Sequence, residues 1–135
     1  VALSAIKLSS EQQAQLRKVI KSTVIEMSTK SELKPVRLTI SKTKAKVWLA
    51  KASEDGTMTF QLMNGTKQAA FKFDDLKTSD YIVLSRLIAA LRPDNKEANA
   101  LAGLYLECTG NKRLAATYLK KTNKEAVDSV INALK

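Results

Sequence analysis

Two turn dipeptides nine residues apart, Asp55-Gly56 and Asn64-Gly65, interrupt a run of alternating apolar and polar residues. Gly reaches positive φ without steric penalty, and Asn or Asp nearly so. Such pairs therefore suit the tight primed turns whose twist matches that of flanking strands. The middle of the chain is expected to be an antiparallel meander. Val36, Leu38 and Ile40 alternate with Arg37, Thr39 and Ser41, and Val47 and Leu49 follow. Met58, Phe60 and Leu62 lie between the two glycine turns, and Ala69, Phe71 and Phe73 come after the second. A side-chain period of two marks strands with one buried face, and the pattern predicts four of them. Such a sheet must curl into a small barrel or be covered by helices.

Helical spacing on either side supplies the cover. Ser9 or Ser10 can cap a first helix, with Gln12 or Gln13 in the reciprocal capping-box position and Leu16, Ile20, Val24 and Met27 as its apolar stripe. The polar stretch from Ser28 to Pro35 reads as a connector. After the N-cap candidates of residues 74–80, a helix carries Ile82, Leu84, Leu87, Ile88 and Leu91, and Pro93-Asp94-Asn95 breaks it. A second helix runs from Lys96 through Ala98, Leu101, Ala102, Tyr105 and Leu106 to the stop at Gly110. A third carries Leu114, Ala115, Tyr118 and Leu119, and a fourth Ala126, Val127, Val130, Ile131 and Leu134. Short connections favour antiparallel neighbours. The expected fold is α+β: an N-terminal helix, a four-stranded antiparallel meander or small barrel, and a C-terminal helical bundle. Residues 1–135 are expected to form one compact domain with lobes at 1–35, 36–77 and 78–135.

Composition narrows the function more by what is missing. Histidine is absent, which removes the commonest proton-transfer group near neutral pH, the Ser-His-Asp and Cys-His arrangements and every His metal site. The single cysteine, Cys108, leaves no ligand set for zinc or an iron-sulfur cluster, and Glu54-Asp55-Gly56 lacks the alternating acids of a calcium loop. No catalytic, metal or cofactor site is expected, and the chain reads as a non-enzyme. No segment reaches the roughly 18 consecutive apolar residues of a membrane span. A lone cysteine is silent on redox compartment, so localisation stays open. Beginning at Val1 rather than Met, the chain reads as a processed product or, preferably, a piece of a longer protein.

The net charge of +10 is spread along the chain, at +3, +4 and +3 over residues 1–35, 36–77 and 78–135. A dedicated nucleic-acid arm usually shows a block of like charge, and there is none. Lys42, Lys44 and Lys46 alternate and could share one strand face, suited either to solvation and protection of an edge or to phosphate contacts. Trp48, the sole tryptophan, falls on the face opposite Val47 and Leu49. There it is either covered by helices or free to stack on a base or a peptide side chain.

Two partial resemblances bear on function. The Trp48 strand, the acidic turn Glu54-Asp55-Gly56, the strand through Phe60 and Leu62, Asn64-Gly65 and the ending Phe73-Asp74-Asp75-Leu76 to Ser79-Asp80 together resemble the homology-one domain of the SLA family of actin-patch adaptors. That family's domain is a small β-barrel that binds short Asn-Pro-Phe peptides, so the resemblance implies peptide recognition. Residues 91–121, through Leu91-Arg92-Pro93-Asp94-Asn95, Leu101, Gly103, Tyr105, Gly110-Asn111, Ala115 and Leu119, resemble a single tetratricopeptide-type helical hairpin. The expected role is a non-catalytic protein or peptide interaction module. The alternative is a nucleic-acid-binding domain using a basic sheet face. Lys42, Lys44, Lys46 and Trp48 are the candidate contact residues for either. Partner identity and oligomeric state are not specified by these residues.

Overall fold

Ser9 opens the first helix as expected. Its hydroxyl accepts from the Gln12 N–H at 3.1 Å while the Gln12 side chain accepts from the Ser9 N–H at 3.0 Å, a reciprocal capping box. The computed structural model describes residues 9–43, 45–63, 65 and 67–134. Within them the order is α1 (Ser10–Thr29), β1 (Val47–Ala52), β2 (Thr57–Leu62), β3 (Gln68–Lys72), a 3₁₀ turn at Phe73–Asp75, α2 (Thr78–Leu91), α3 (Lys96–Cys108), α4 (Lys112–Leu119) and α5 (Lys124–Asn132). The architecture is mixed α+β, with five α-helices and one antiparallel sheet among the described residues.

The sheet has three strands in the order β1-β2-β3 and is open, not the expected four strands or barrel. Val36 to Ile40 alternates as expected, with Leu38 and Ile40 buried and Arg37 and Thr39 exposed. It nevertheless makes a single bridge, Leu38 to Val47, with N–H···O distances of 2.7 and 3.0 Å. The ladder stops there because the chain turns at once: the Thr43 N–H returns to the Ile40 carbonyl at 3.1 Å. The Ser41 N–H, on the side facing away from β1, goes to the buried carboxylate of Asp80 at 2.7 Å. Phe73 likewise leaves the strand pattern and sits in the 3₁₀ turn, buried, its N–H bonded to the Gly56 carbonyl.

The glycine turns differ in detail from the expected two-residue form. Ser53 and Gly56 close a β-turn at 2.9 Å, Gly56 has φ +90°, and Ser53 pairs on with Thr57 at 2.8 Å. A primed turn would need positive φ at Asp55 as well, and Asp55 does not have it. This is the longer hairpin loop, a turn closed by a left-handed glycine. β2 and β3 are joined by residues 63–67, with the Leu62 N–H bonded to the Lys67 carbonyl at 3.0 Å. Asn64 of the second dipeptide lies outside the described residues.

The α1 stripe of Leu16, Ile20, Val24 and Met27 is wholly buried, against Val47, Leu49, Met58 and Phe60 of the sheet and Leu84, Ile88, Leu101 and Leu104 of α2 and α3. One apolar cluster thus joins all three expected lobes and extends to Val127, Val130 and Leu134 at the C-terminal end. α4 joins α3 through a second cluster of Leu106, Ala115 and Leu119. Gly103 permits that approach, since a Cβ there would lie 2.4 Å from Leu119 Cδ2. Both α1 and α3 end in the same double hydrogen-bonded cap, with Ser31 (φ +57°) and Gly110 (φ +87°) in the left-handed position.

Candidate peptide-binding groove

The segment from Val36 to Ile40 leaves one backbone edge unpaired among the described residues. Leu38 sends both its N–H and its C=O to Val47, so by strand alternation the N–H and C=O of Arg37 and Thr39 point away from β1. None of these four groups has a backbone partner among the described residues. Beside this bare edge runs a groove of about 370 Å³ between residues 36–39 and the flank of α2. Val36, Leu38, Val83, Leu87 and Ala90 make it largely apolar, and Tyr118 of α4 closes one side.

Its charge is one-sided. Arg37 and Arg86 both line the groove, and no Asp or Glu does. Arg86 Nε donates to the Tyr118 hydroxyl at 3.2 Å, which aligns the guanidinium along the wall without neutralising it. Neither arginine has a carboxylate within 4.0 Å among the described residues. By contrast Arg92, at the end of α2, forks onto Glu32 at 2.9 and 3.0 Å and reaches Glu26 at 3.2 Å. Those hydrogen bonds from Arg92 hold the Glu32 and Glu26 carboxyls below their ordinary range.

The edge is held in place from one end by Asp80. Its oxygens accept from the Ser41 N–H at 2.7 Å, the Ser41 hydroxyl at 2.5 Å and the Lys77 N–H at 3.0 Å. Burial pushes this carboxyl up, but the hydrogen bonds from Ser41 and Lys77 outweigh it and hold it below the usual range.

The residues singled out from the sequence lie elsewhere. Lys42 is exposed in the turn after Ile40, and Lys44 lies outside the described residues. Lys46 is exposed just before β1, its Nζ donating to the Thr39 hydroxyl at 2.7 Å. Trp48 is half-buried on the sheet face opposite Val47 and Leu49, and takes no part in the main apolar cluster. Lys46 and Trp48 therefore share a face by alternation, while Lys42 sits in the turn through residues 40–43. The groove arginines were missed. Their signal was present: Arg86 is the only basic residue of α2, set in the run from Tyr81 to Leu91.

The Cys108 thiol is pushed up to about 11 by burial, and the Tyr81 and Tyr105 hydroxyls are also raised by burial. Among the described residues no group of three or more His, Cys, Asp or Glu could hold a metal ion, and no helix is long and apolar enough to cross a membrane. Comparison with protein-family models, curated proteins and solved structures returned no match. The class that fold and site define is a small α+β domain with an open three-stranded sheet and a basic, apolar-floored groove along an unpaired edge.

Proposed function

We propose that this chain is a non-catalytic interaction module that binds an extended peptide segment in the groove between residues 36–39 and α2. The observation that carries the reading is the coincidence of unpaired backbone groups at Arg37 and Thr39 with an apolar floor free of carboxylates. An extended peptide adds to such an edge as a strand. Main-chain hydrogen bonds give affinity, and alternate side chains entering pockets give specificity. Val83, Leu87 and Ala90 suit apolar side chains, and Arg37 and Arg86 suit Asp or Glu at intervening positions. The preferred partner is thus an acidic-apolar strand.

The test is an amide chemical-shift titration with a short peptide alternating Glu with Val or Leu. Shifts should centre on Arg37, Thr39, Val83 and Arg86. Thr39→Pro removes an edge N–H that has no partner in the fold and should abolish binding. Arg86→Gln should weaken it about two- to fivefold. Shifts centred elsewhere, or full binding by Thr39→Pro, would sink the reading.

The shared face of Lys46 and Trp48 supports a second reading, contact with single-stranded nucleic acid through a stacking ring and a nearby cation. Fluorescence anisotropy with a labelled oligonucleotide separates the two. Binding that survives physiological salt and is lost in Trp48→Ala favours nucleic acid, and binding confined to low salt leaves only non-specific charge.

A further inference from the structure

Between α1 and the segment from Phe73 to Tyr81, we propose a second ligand site, formed by Arg17, Lys18 and Lys21 with Phe73, Leu76 and Tyr81. Its ligand is a phosphate monoester carried on a small aromatic body. A cavity of about 320 Å³ lies between these residues. That is the lower end of small-ligand sites, which run from about 300 to 1,000 Å³.

The cationic wall is prearranged and uncompensated. Arg17 Nε donates to the Tyr105 hydroxyl at 3.0 Å and Nη2 to the Thr78 hydroxyl at 2.7 Å, with the guanidinium carbon 5.5 Å from the centroid of the Tyr81 ring. These contacts use two of the five guanidinium N–H groups, and both acceptors are neutral. Lys21 Nζ sits 5.6 Å from the centroid of the Phe73 ring. Neither Arg17, Lys18 nor Lys21 has a carboxylate within 4.0 Å among the described residues, although the chain places two carboxylates on Arg92. An arginine anchored by hydroxyls keeps its charge for an incoming anion, and three cations at one cavity match a dianion better than a carboxylate. Half-buried Leu76, with the edges of the buried Phe73 and Tyr81 rings, gives the esterified ring its apolar surface.

Asp74 also lines the cavity but bonds none of the three cations. It opposes an anion there, which makes it the discriminating position. The probes are phenyl phosphate and inorganic phosphate, measured by calorimetry on the whole chain at low ionic strength. The expected result is saturable binding of phenyl phosphate, tighter than inorganic phosphate. It should be weakened about two- to fivefold by Lys18→Gln and strengthened by a similar factor in Asp74→Asn, both at exposed positions. Absence of saturable binding, equal affinity for the two probes, or affinity unchanged in both variants overturns the proposal. Free phosphotyrosine and a phosphotyrosyl peptide, compared in the same assay, name the source of the ester by the tighter of the two. The site shares no residue with the peptide groove, so neither result depends on the other.

Discussion

Asp80 ties the fold to the groove, and its replacement separates the two. The side chain is only 1% exposed and has no cation within 4.0 Å among the described residues. Its charge is held by three hydrogen bonds, two from Ser41 and one from Lys77. Hydrogen bonds to a charged acceptor contribute about 1.5–3 kcal/mol each, but these share one carboxylate, and Ser41 and Lys77 are exposed enough for water to replace part of the loss. Asp80→Ala should therefore destabilise by about 3 kcal/mol. Asp80→Asn keeps one acceptor oxygen but turns an amide donor toward other donors, and should cost about 2 kcal/mol. With about 2.1 cal/mol/K of unfolding entropy per residue, a chain of 135 residues loses about 10 °C in Tm for 3 kcal/mol.

The pH dependence follows from the same contacts. The folded carboxyl is held below its unfolded value, so its contribution is complete above about pH 4 and fades as pH falls through the folded pKa. The stability gap between wild type and Asp80→Asn should then close in acid. Urea unfolding across pH 2–7, with amide exchange at residues 38–43, reads both effects. In Asp80→Asn those amides should exchange faster than the rest of the sheet, and the acidic-apolar peptide should bind more weakly. A cost under about 0.5 kcal/mol, typical of an ordinary surface change, or a gap that stays constant into acid would refute the reasoning.

Two backbone predictions are independent of the groove. Gly103→Ala would set a Cβ against Leu119, which is 5% exposed and has little room to move. A loss of about 1–3 kcal/mol is expected in thermal unfolding, with faster amide exchange confined to α4. Ser31 holds the left-handed position that Gly110 fills in the other cap. Ser31→Gly should raise stability by about 0.5–1 kcal/mol, and Gly110→Ser, where a Cβ meets nothing within 4 Å, should lower it by about 1 kcal/mol through backbone strain alone.

What was legible in the sequence was local. The α1 stripe, the Ser9–Gln12 capping box, the break at Pro93 and the stop at Gly110 each depend on residues within a turn or two of one another, and each is realised. Alternation at Val36–Ile40 named the buried face correctly and failed on the ladder. Period two reports which side chains point inward, whereas a ladder needs a returning partner. That partner is lost where the chain turns, the Thr43 N–H returning to the Ile40 carbonyl. Lys42, read with Lys44 and Lys46 as lying at a strand entry, sits in that turn at residues 40–43.

The groove was harder to read because periodicity treats an interrupting residue as noise. α2 contains only two charged residues, Asp80 and Arg86. The first is buried and holds the Ser41 end of the segment from Val36, and the second lines the groove beside that segment's outer edge. An isolated charge in an otherwise apolar helix has to be solvated or matched: Asp80 is matched by Ser41 and Lys77, and Arg86 by solvent and the Tyr118 hydroxyl. The two are coupled. Asp80 fixes the Ser41 end of the edge that Arg86 lies beside, so peptide binding should weaken in Asp80→Asn although Asp80 does not line the groove.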